Sequence, residues 1–150
     1  MTNIEMLENT LPIAPLKLIA MESCKPLGQK VNDYIVSFRE NTINEVTESP
    51  LYRNYKANNY QVDCSCPRFG SGEAKGILKE TIRGTDLFIM TDVCNYSLTY
   101  TVNGHLNHMS PDDHYQDLKR VIAAVGGKGR RINVIMPFLY ESRQHKRTGR

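Results

Sequence analysis

The sequence has no long apolar run, since no stretch of its 150 residues approaches the roughly 18 apolar residues that cross a membrane. Residues 1–20 also lack a basic start followed by an apolar run, so we expect no secretory signal there. Without secretory features, the four cysteines are expected to be reduced thiols. We therefore expect a cytoplasmic protein with no membrane partner.

Common nucleotide-binding and nucleophile motifs are absent as well. There is no Walker motif, no dinucleotide fingerprint and no Gly-x-Ser-x-Gly nucleophile elbow. The glycine-rich residues 126–129 follow a predicted helix and precede a predicted strand, which is the reverse of a phosphate-binding loop. These absences argue against P-loop enzymes, dinucleotide-binding enzymes and α/β-hydrolases.

Potential metal ligands occur without the spacing of a standard metal motif. Cys64 and Cys66 form a Cys-x-Cys pair with no second pair, which is typical of two side chains on one strand face. A histidine group lies further along the chain, at His105, His108 and His114, beside Asp112 and Asp113. We expect no metal at either place, because the two aspartates suit a helix start and the spacing matches no ligand motif.

The net charge of +3 is concentrated at the carboxyl-terminal end. Within residues 143–150 the basic side chains are Arg143, Lys146, Arg147 and Arg150, and the remainder is near neutral. A nucleic-acid-binding domain needs a basic face rather than a basic tail, so nucleic acid is not an expected partner. A small basic nucleic-acid-binding domain is kept as a third hypothesis.

The pattern of apolar residues predicts the element order β-α-β-β-β-α-β. Strands are predicted at 16–21, 60–66, 74–78, 86–91 and 131–136, with long connections at 41–59 and 92–109. The helices start at Pro26 and at Ser110, the second with a serine cap, a proline and acidic residues in its first turn. This order predicts an α/β fold with a mostly parallel sheet and helices on both faces, preceded by an arm at 1–15. Ligands of such sheets bind at the carboxyl ends of the strands.

Two segments have side chains that suit a nucleotide. At 69–73, Phe69 offers a ring for stacking on a purine, Ser71 a hydroxyl, and Glu73 an acceptor for the exocyclic amine. Further along, Arg143 can bind phosphate oxygens with two parallel hydrogen bonds. Each segment alone also fits a plainer interpretation, a surface turn for the first and a solvated basic tail for the second.

Four segments occur in a fixed order along the chain. They are Arg-Phe-Gly-Ser-Gly-Glu at 68–73, Ile-Arg-Gly-Thr-Asp-Leu-Phe-Ile at 82–89, Val-Ile-Met-Pro-Phe at 134–138 and Arg-Gln at 143–144. This ordered set resembles the phosphoribosyl-diphosphate (PRPP) synthetase family, which carries an Arg-Phe-x-x-Gly-Glu-like loop, an Arg-Gly-x-Asp-Val-Phe-Ile strand and a Pro-Tyr-x-x-Tyr-Ala-Arg-Gln segment. The resemblance covers residues 16–150, with gaps.

The resemblance implies a type I phosphoribosyltransferase-like fold and a ribose-phosphate diphosphokinase, which transfers diphosphate from Mg-ATP to ribose 5-phosphate and gives PRPP and AMP. It implies that Phe69, Ser71 and Glu73 surround adenine across a subunit interface of a homo-oligomer. It also implies that Arg143 and Gln144 contact ATP. The family's metal-binding histidine and aspartate and its catalytic loop have no counterpart here, so we expect no catalytic residue and no metal ligand in this chain.

The sequence departs from the family pattern at several places. Ser71 stands where the family has Asn or Asp, His145 stands where it has Asp, and residues 92–109 exceed the family's short link. A non-catalytic relative that regulates or forms oligomers is therefore the alternative hypothesis. We expect residues 16–150 to be the amino-terminal half of a longer protein, truncated at its carboxyl end, inactive by itself and prone to associate.

Overall fold

The structure is a computed structural model that describes residues 12–42, 55–144 and 146. Two α-helices and seven strands lie in these ranges. In chain order they are β1 Leu16–Ala20, α1 Lys25–Thr42, β2 Cys64–Ser65, β3 Ile77–Leu78, β4 Asp86–Met90, β5 Thr99–Val102, β6 His105–His108, α2 Pro111–Val125 and β7 Arg131–Ile135. Short 3-10 turns occupy Glu22–Cys24 and Ser142–Gln144.

Three parallel strands form the central sheet, in the order β1-β4-β7. Asp86 of β4 lies opposite Arg131 of β7, so these two strands start at the same level. Residues 60–62 lie beside β1 and extend the sheet. Leu18 N donates to Tyr60 O and Val62 N donates to Leu18 O, both at 2.8 Å. The pairing confirms the predicted mostly parallel α/β arrangement.

Alternate residues of the sheet point to opposite faces, and one helix covers each face. Ile89 is buried on the side of α2, in a cluster with Val121. Leu18 and Met90 are buried on the other side, where Val31 of α1 packs against them. Each fully buried aliphatic side chain contributes about 1.5–3 kcal/mol, so both helices are held mainly by this packing. The predicted helices on both faces are thus confirmed.

The second helix begins where its sequence signals place it. Ser110 Oγ accepts a hydrogen bond from Asp113 N at 3.2 Å, and Asp113 Oδ2 accepts one from Ser110 N at 2.9 Å. Pro111 occupies the first helical position, and Gly126 ends the helix in a left-handed conformation with φ 57°. This capping box, with the glycine stop, fixes α2 at both ends.

Two sequence predictions about strands are corrected by the structure. The strand predicted at 60–66 is interrupted, because its first part lies beside β1 whereas Cys64 and Ser65 pair antiparallel with β3. The long connection predicted at 92–109 is wrong in its second half, where β5 and β6 form an antiparallel hairpin. Its two-residue turn is Asn103 and Gly104, with φ 50° and 79°. Positive φ at both positions is what such a hairpin turn requires.

Several predicted features lie outside the described residues. They are residues 1–11 of the predicted arm, residues 43–54 of the predicted connection, and the tail positions 145 and 147–150. In the described part of the chain, neither helix is long and apolar enough to cross a membrane.

Candidate nucleotide site

The loops that follow β1 and β4 are bonded to each other at the carboxyl edge of the sheet. Ser23 Oγ accepts a hydrogen bond from Asp92 N at 3.0 Å and lies 3.5 Å from Thr91 Oγ1. Asn95 Nδ2 donates to Ser23 O at 3.3 Å. The two loops therefore form one unit at the edge where parallel sheets bind their ligands.

A cavity of about 410 Å³ lies at this edge, between the loop after β4 and the segment after β7. Its lining includes Cys94 from the first loop, Asp112 from the start of α2, and Arg143. Among the residues that the structure describes, none forms a hydrogen bond or ion pair with the exposed Arg143 guanidinium. A planar guanidinium with free donors suits phosphate or carboxylate oxygens, and the cavity has room for part of a nucleotide.

The segment that carries Arg143 is anchored to α2 through Tyr140. The Tyr140 ring stacks on Tyr115 with 4.2 Å between the ring centroids, and its hydroxyl donates to Asp112 Oδ1 at 2.5 Å. This hydrogen bond is the main reason why the pKa of Tyr140 rises to about 12. Tyr140 is therefore protonated at neutral pH and holds the segment after β7 against the first turn of α2.

The 69–73 loop is an exposed, internally bonded turn. Phe69 N donates to Glu73 O at 2.7 Å, and Gly72, with φ 87°, donates its N–H to Phe69 O at 2.9 Å. Ser71 Oγ donates to Glu73 Oε2 at 3.0 Å. The Phe69 side chain is 52% exposed. The loop thus presents an aromatic face to solvent, while its hydroxyl and carboxylate are bonded together.

Arg68 fixes the base of the 69–73 loop to the body of the domain. Its guanidinium donates to both carboxylate oxygens of Asp117, at 2.6 and 3.0 Å. Both side chains are less than a tenth exposed, and Arg120 adds a third bond to Asp117 at 2.7 Å. On its other side, the Arg68 guanidinium lies 4.6 Å from the centroid of the Tyr100 ring. Arg68 therefore joins the loop to α2 and to the hairpin together.

In the part of the chain that the structure describes, the two predicted groups of ATP-contacting residues do not line the Arg143 cavity together. Phe69, Ser71 and Glu73 are not among the residues that line the Arg143 cavity. The loop contacts the tip of the hairpin instead, where Asn103 donates to a loop carbonyl. The side chain of Gln144 lies outside the described residues.

The histidines and the Cys-x-Cys pair occupy separate environments. His114 is buried, with Nε2 2.8 Å from Asn95 O, whereas His108 stacks on Tyr96 at the surface. Cys64 and Cys66 are half-buried free thiols. Within the described ranges, no group of three or more histidine, cysteine or acidic side chains is arranged to hold a metal.

The residues that surround the loop were missed by sequence reasoning. For Tyr100 and Asn103 a signal was present, since an Asn-Gly dipeptide between two short alternating runs is typical of a hairpin. For Asp117 there was none, because its partner Arg68 lies 49 residues away in the chain. Pairings at such separation follow from the fold rather than from any local pattern.

Comparison with known proteins gives one family and one fold. The crystal structure of phosphoribosylpyrophosphate synthetase from Mycobacterium smegmatis is similar, with a TM-score of 0.57 and 18% sequence identity. The match covers 88% of this chain and 33% of that one, so the chain spans about a third of the length of that protein. No curated protein matches the sequence. Residues 16–150 match the family described as the N-terminal domain of ribose phosphate pyrophosphokinase, and the chain therefore belongs to this family.

Proposed function

We propose that the protein serves the transfer of diphosphate from Mg-ATP to ribose 5-phosphate, giving PRPP and AMP, and that this domain supplies ATP-binding residues. Arg143 and Gln144 would contact the nucleotide at the carboxyl edge of the sheet. Phe69, Ser71 and Glu73 would hold the adenine. Transfers of this kind depend mostly on positioning and on cations that stabilise charge, which these residue types provide.

The observation that carries the proposal is the Arg143 cavity. Its guanidinium is exposed and bonded to no other described residue, and the segment that carries it is anchored to α2 through Tyr140. The lining also carries two carboxylates, Asp112, which accepts from the Tyr140 hydroxyl, and Glu141, and neither is paired with Arg143. A phosphate group is therefore the natural partner for the free guanidinium.

Adenine binding by the 69–73 loop is proposed to occur across an interface between two copies. The Phe69 ring is exposed, as stacking on a base requires, but the loop does not line the Arg143 cavity of its own chain. A homo-oligomer would let the loop of one copy reach the cavity of another. Mg²⁺ would arrive with its substrate as Mg-ATP.

The alternative function is that of a non-catalytic relative that regulates or forms oligomers. The internal bond between Ser71 and Glu73 favours it, since the carboxylate proposed to accept from the purine amine already has a partner. Under either hypothesis a cytoplasmic location is proposed, which the free thiols of the described cysteines support.

Mixing two variants tests the shared site. Phe69→Ala and Arg143→Ala should each weaken Mg-ATP binding at least fivefold, since a base–aromatic stack contributes about 1 kcal/mol or more. Mixed in equal amounts, they should recover part of the binding, because some interfaces then combine an intact loop with an intact cavity. Unchanged binding in both variants would refute the ATP site, and no recovery on mixing would refute its sharing. AMP release with ribose 5-phosphate, measured on the intact gene product that contains this domain, separates the catalytic hypothesis from the alternative.

A further inference from the structure

The β5–β6 hairpin, residues 99–108, lies against the 69–73 loop. Asn103 Nδ2 donates to Gly70 O at 2.9 Å. Within the described residues, this is the only hydrogen bond that a side chain outside the loop makes to the backbone of residues 69–73. We propose that the hairpin sets the conformation of the loop, with Asn103 and Tyr100 as positioning residues. The proposal rests on the ATP-binding role proposed above for that loop.

The turn geometry holds the Asn103 side chain in place. Val102 pairs with His105, so Asn103 and Gly104 form the whole turn, and both have positive φ. Asparagine is one of the few residues besides glycine that accepts this conformation. A rigid two-residue turn of this kind presents its side chain in one direction, which here is the Gly70 carbonyl.

The loop leaves space for this contact at Gly70. A Cβ added to Gly70 would lie 3.3 Å from Asn103 Oδ1, which is tighter than an ordinary contact. The hairpin tip and the loop backbone therefore approach each other closely because position 70 has no side chain. Gly70→Ala is expected to displace the Asn103 side chain by a few tenths of an ångström and so to weaken its hydrogen bond to the loop.

The second contact lies at the base of the loop. Tyr100 covers the face of the Arg68 guanidinium at 4.6 Å, while Asp117 binds its edge. A cation over an aromatic face is attracted by the ring, and a buried guanidinium gains most from it. The hairpin thus touches the loop at its start, through Tyr100, and near its tip, through Asn103. Two contacts on one short loop restrict both its position and its tilt.

These contacts hold the loop in the conformation that exposes the Phe69 ring. The amides of Phe69 and Gly72 are bonded inside the loop, and the Phe69 ring points to solvent. When the hairpin contact is lost, the loop opens more often and its amides exchange faster with solvent. Nucleotide affinity then falls in proportion to the fraction of loops in the competent shape.

Hydrogen exchange of the loop amides in the nucleotide-free protein tests the positioning directly. Asn103→Gly keeps the turn but removes the donor, and Asn103→Asp keeps a turn-compatible side chain but replaces the donor amide by a carboxylate. Both should speed exchange at Phe69 and Gly72 by roughly two- to tenfold, the equilibrium equivalent of one hydrogen bond. Asn107→Ala removes a side chain of the same hairpin whose one hydrogen bond among the described residues is to His105 O, and it should leave these rates unchanged.

Mg-ATP affinity and thermal unfolding complete the test. In Asn103→Gly, Mg-ATP binding should weaken by the same two- to tenfold while the unfolding temperature stays close to that of Asn107→Ala. Unchanged exchange at Phe69 and Gly72 in both Asn103 variants would overturn the proposal. So would equally fast exchange in Asn107→Ala. If exchange rises but Phe69→Ala binds Mg-ATP normally, the positioning stands and the adenine role of the loop fails.

Discussion

Asp117 is the buried carboxylate on which Arg68 and Arg120 converge, at 2.6 and 2.7 Å. Removing it leaves the Arg68 guanidinium buried without an opposite charge. We expect Asp117→Ala to lower the free energy of unfolding by about 3–5 kcal/mol, measured by urea denaturation. The exposed pair of Lys79 and Asp63 is a control, and Asp63→Ala should cost about 0–1 kcal/mol. Equal losses in the two variants would show that burial does not increase the contribution of the Asp117 network to the free energy of unfolding.

The thiols of Cys64 and Cys66 give the protein a dependence on alkaline pH. Burial raises their pKa from 9.0 to about 11 and about 12. Above pH 9 the unfolded chain releases protons that the folded chain retains, so the unfolded state is favoured. The stabilising contribution of the protonated thiols is thus complete below pH 9 and is lost as the pH rises towards 11 and 12.

Urea unfolding at pH 8 and at about pH 10.5 measures this effect. The wild type should lose stability between the two pH values, and a variant with both Cys64→Ala and Cys66→Ala should lose clearly less. Comparing the change in unfolding free energy between the two pH values within each protein, rather than the absolute values, removes the cost of the substitutions themselves. An equal loss in both proteins would assign the alkaline effect to other groups, such as Tyr140.

At the residue scale, the sequence predicted which side chains suit a nucleotide but not what surrounds them. Phe69, Ser71 and Glu73 are adjacent in the chain, so their chemistry is visible in the sequence. Their contacts with Asn103 and, through Arg68, with Asp117 depend on how distant segments fold together. A single amino-acid sequence holds no local signal for such long-range pairings.

At the scale of elements, the contact between β3 and α2 depends on Gly76. A Cβ at this position would lie 2.4 Å from Arg120 O, a backbone atom of the helix that cannot move aside freely. Gly76→Ala should therefore lower the free energy of unfolding by about 1–3 kcal/mol, the usual effect of overpacking. At Gly129 the nearest atom would be 3.6 Å away, so Gly129→Ala should change stability by less than about 0.5 kcal/mol. Denaturation of both variants compares the two sites, and similar values would contradict the close approach.

Helices and central strands were predicted well because their signals are local. The cap at Ser110 and the stop at Gly126 bracket α2, and the apolar run at 86–90 marks a strand buried on both faces. The hairpin was missed because its strands are polar, and every residue of β6 is exposed. The segment at 60–66 alternates correctly in burial, but alternation does not reveal that its two halves pair with different partners.

At the scale of the whole molecule, apolar side chains are exposed along and after β7. Val134, Ile135, Phe138 and Leu139 are between 40% and 67% exposed. Large exposed apolar side chains such as these favour association between copies. Light scattering should therefore show a mass that rises with concentration, and a variant with Phe138→Ser and Leu139→Ser should stay closer to the monomer.

The isolated exposed residue Leu106, also 67% exposed, is the control for this prediction. It lies on the hairpin, so Leu106→Ser should not change the association. A wild-type protein that stays monomeric at high concentration would contradict the role of the surface after β7. The same holds if Leu106→Ser suppresses association as strongly as the double variant.

The fold class itself could be predicted because it depends on alternation along the whole chain. Strand, helix, strand, helix and strand in order leave few topologies other than a parallel sheet covered on both faces. The family match over residues 16–150 and the similar fold of a PRPP synthetase agree with that inference. The assembly of copies cannot be predicted in this way, since it depends on surfaces that no periodicity describes.

The most direct measurement is a calorimetric titration of Mg-ATP into the wild type and into Arg143→Ala, with Arg83→Ala as the matched control. Arg83 is an exposed arginine just before the amino end of β4, so its removal changes the net charge equally but at the other edge of the sheet. We predict saturable binding that Arg143→Ala weakens by about 10- to 100-fold, as expected for charge-assisted bonds worth about 1.5–3 kcal/mol, while Arg83→Ala binds like the wild type. No binding by the wild type, or equal weakening in the two variants, would contradict the proposed ATP site.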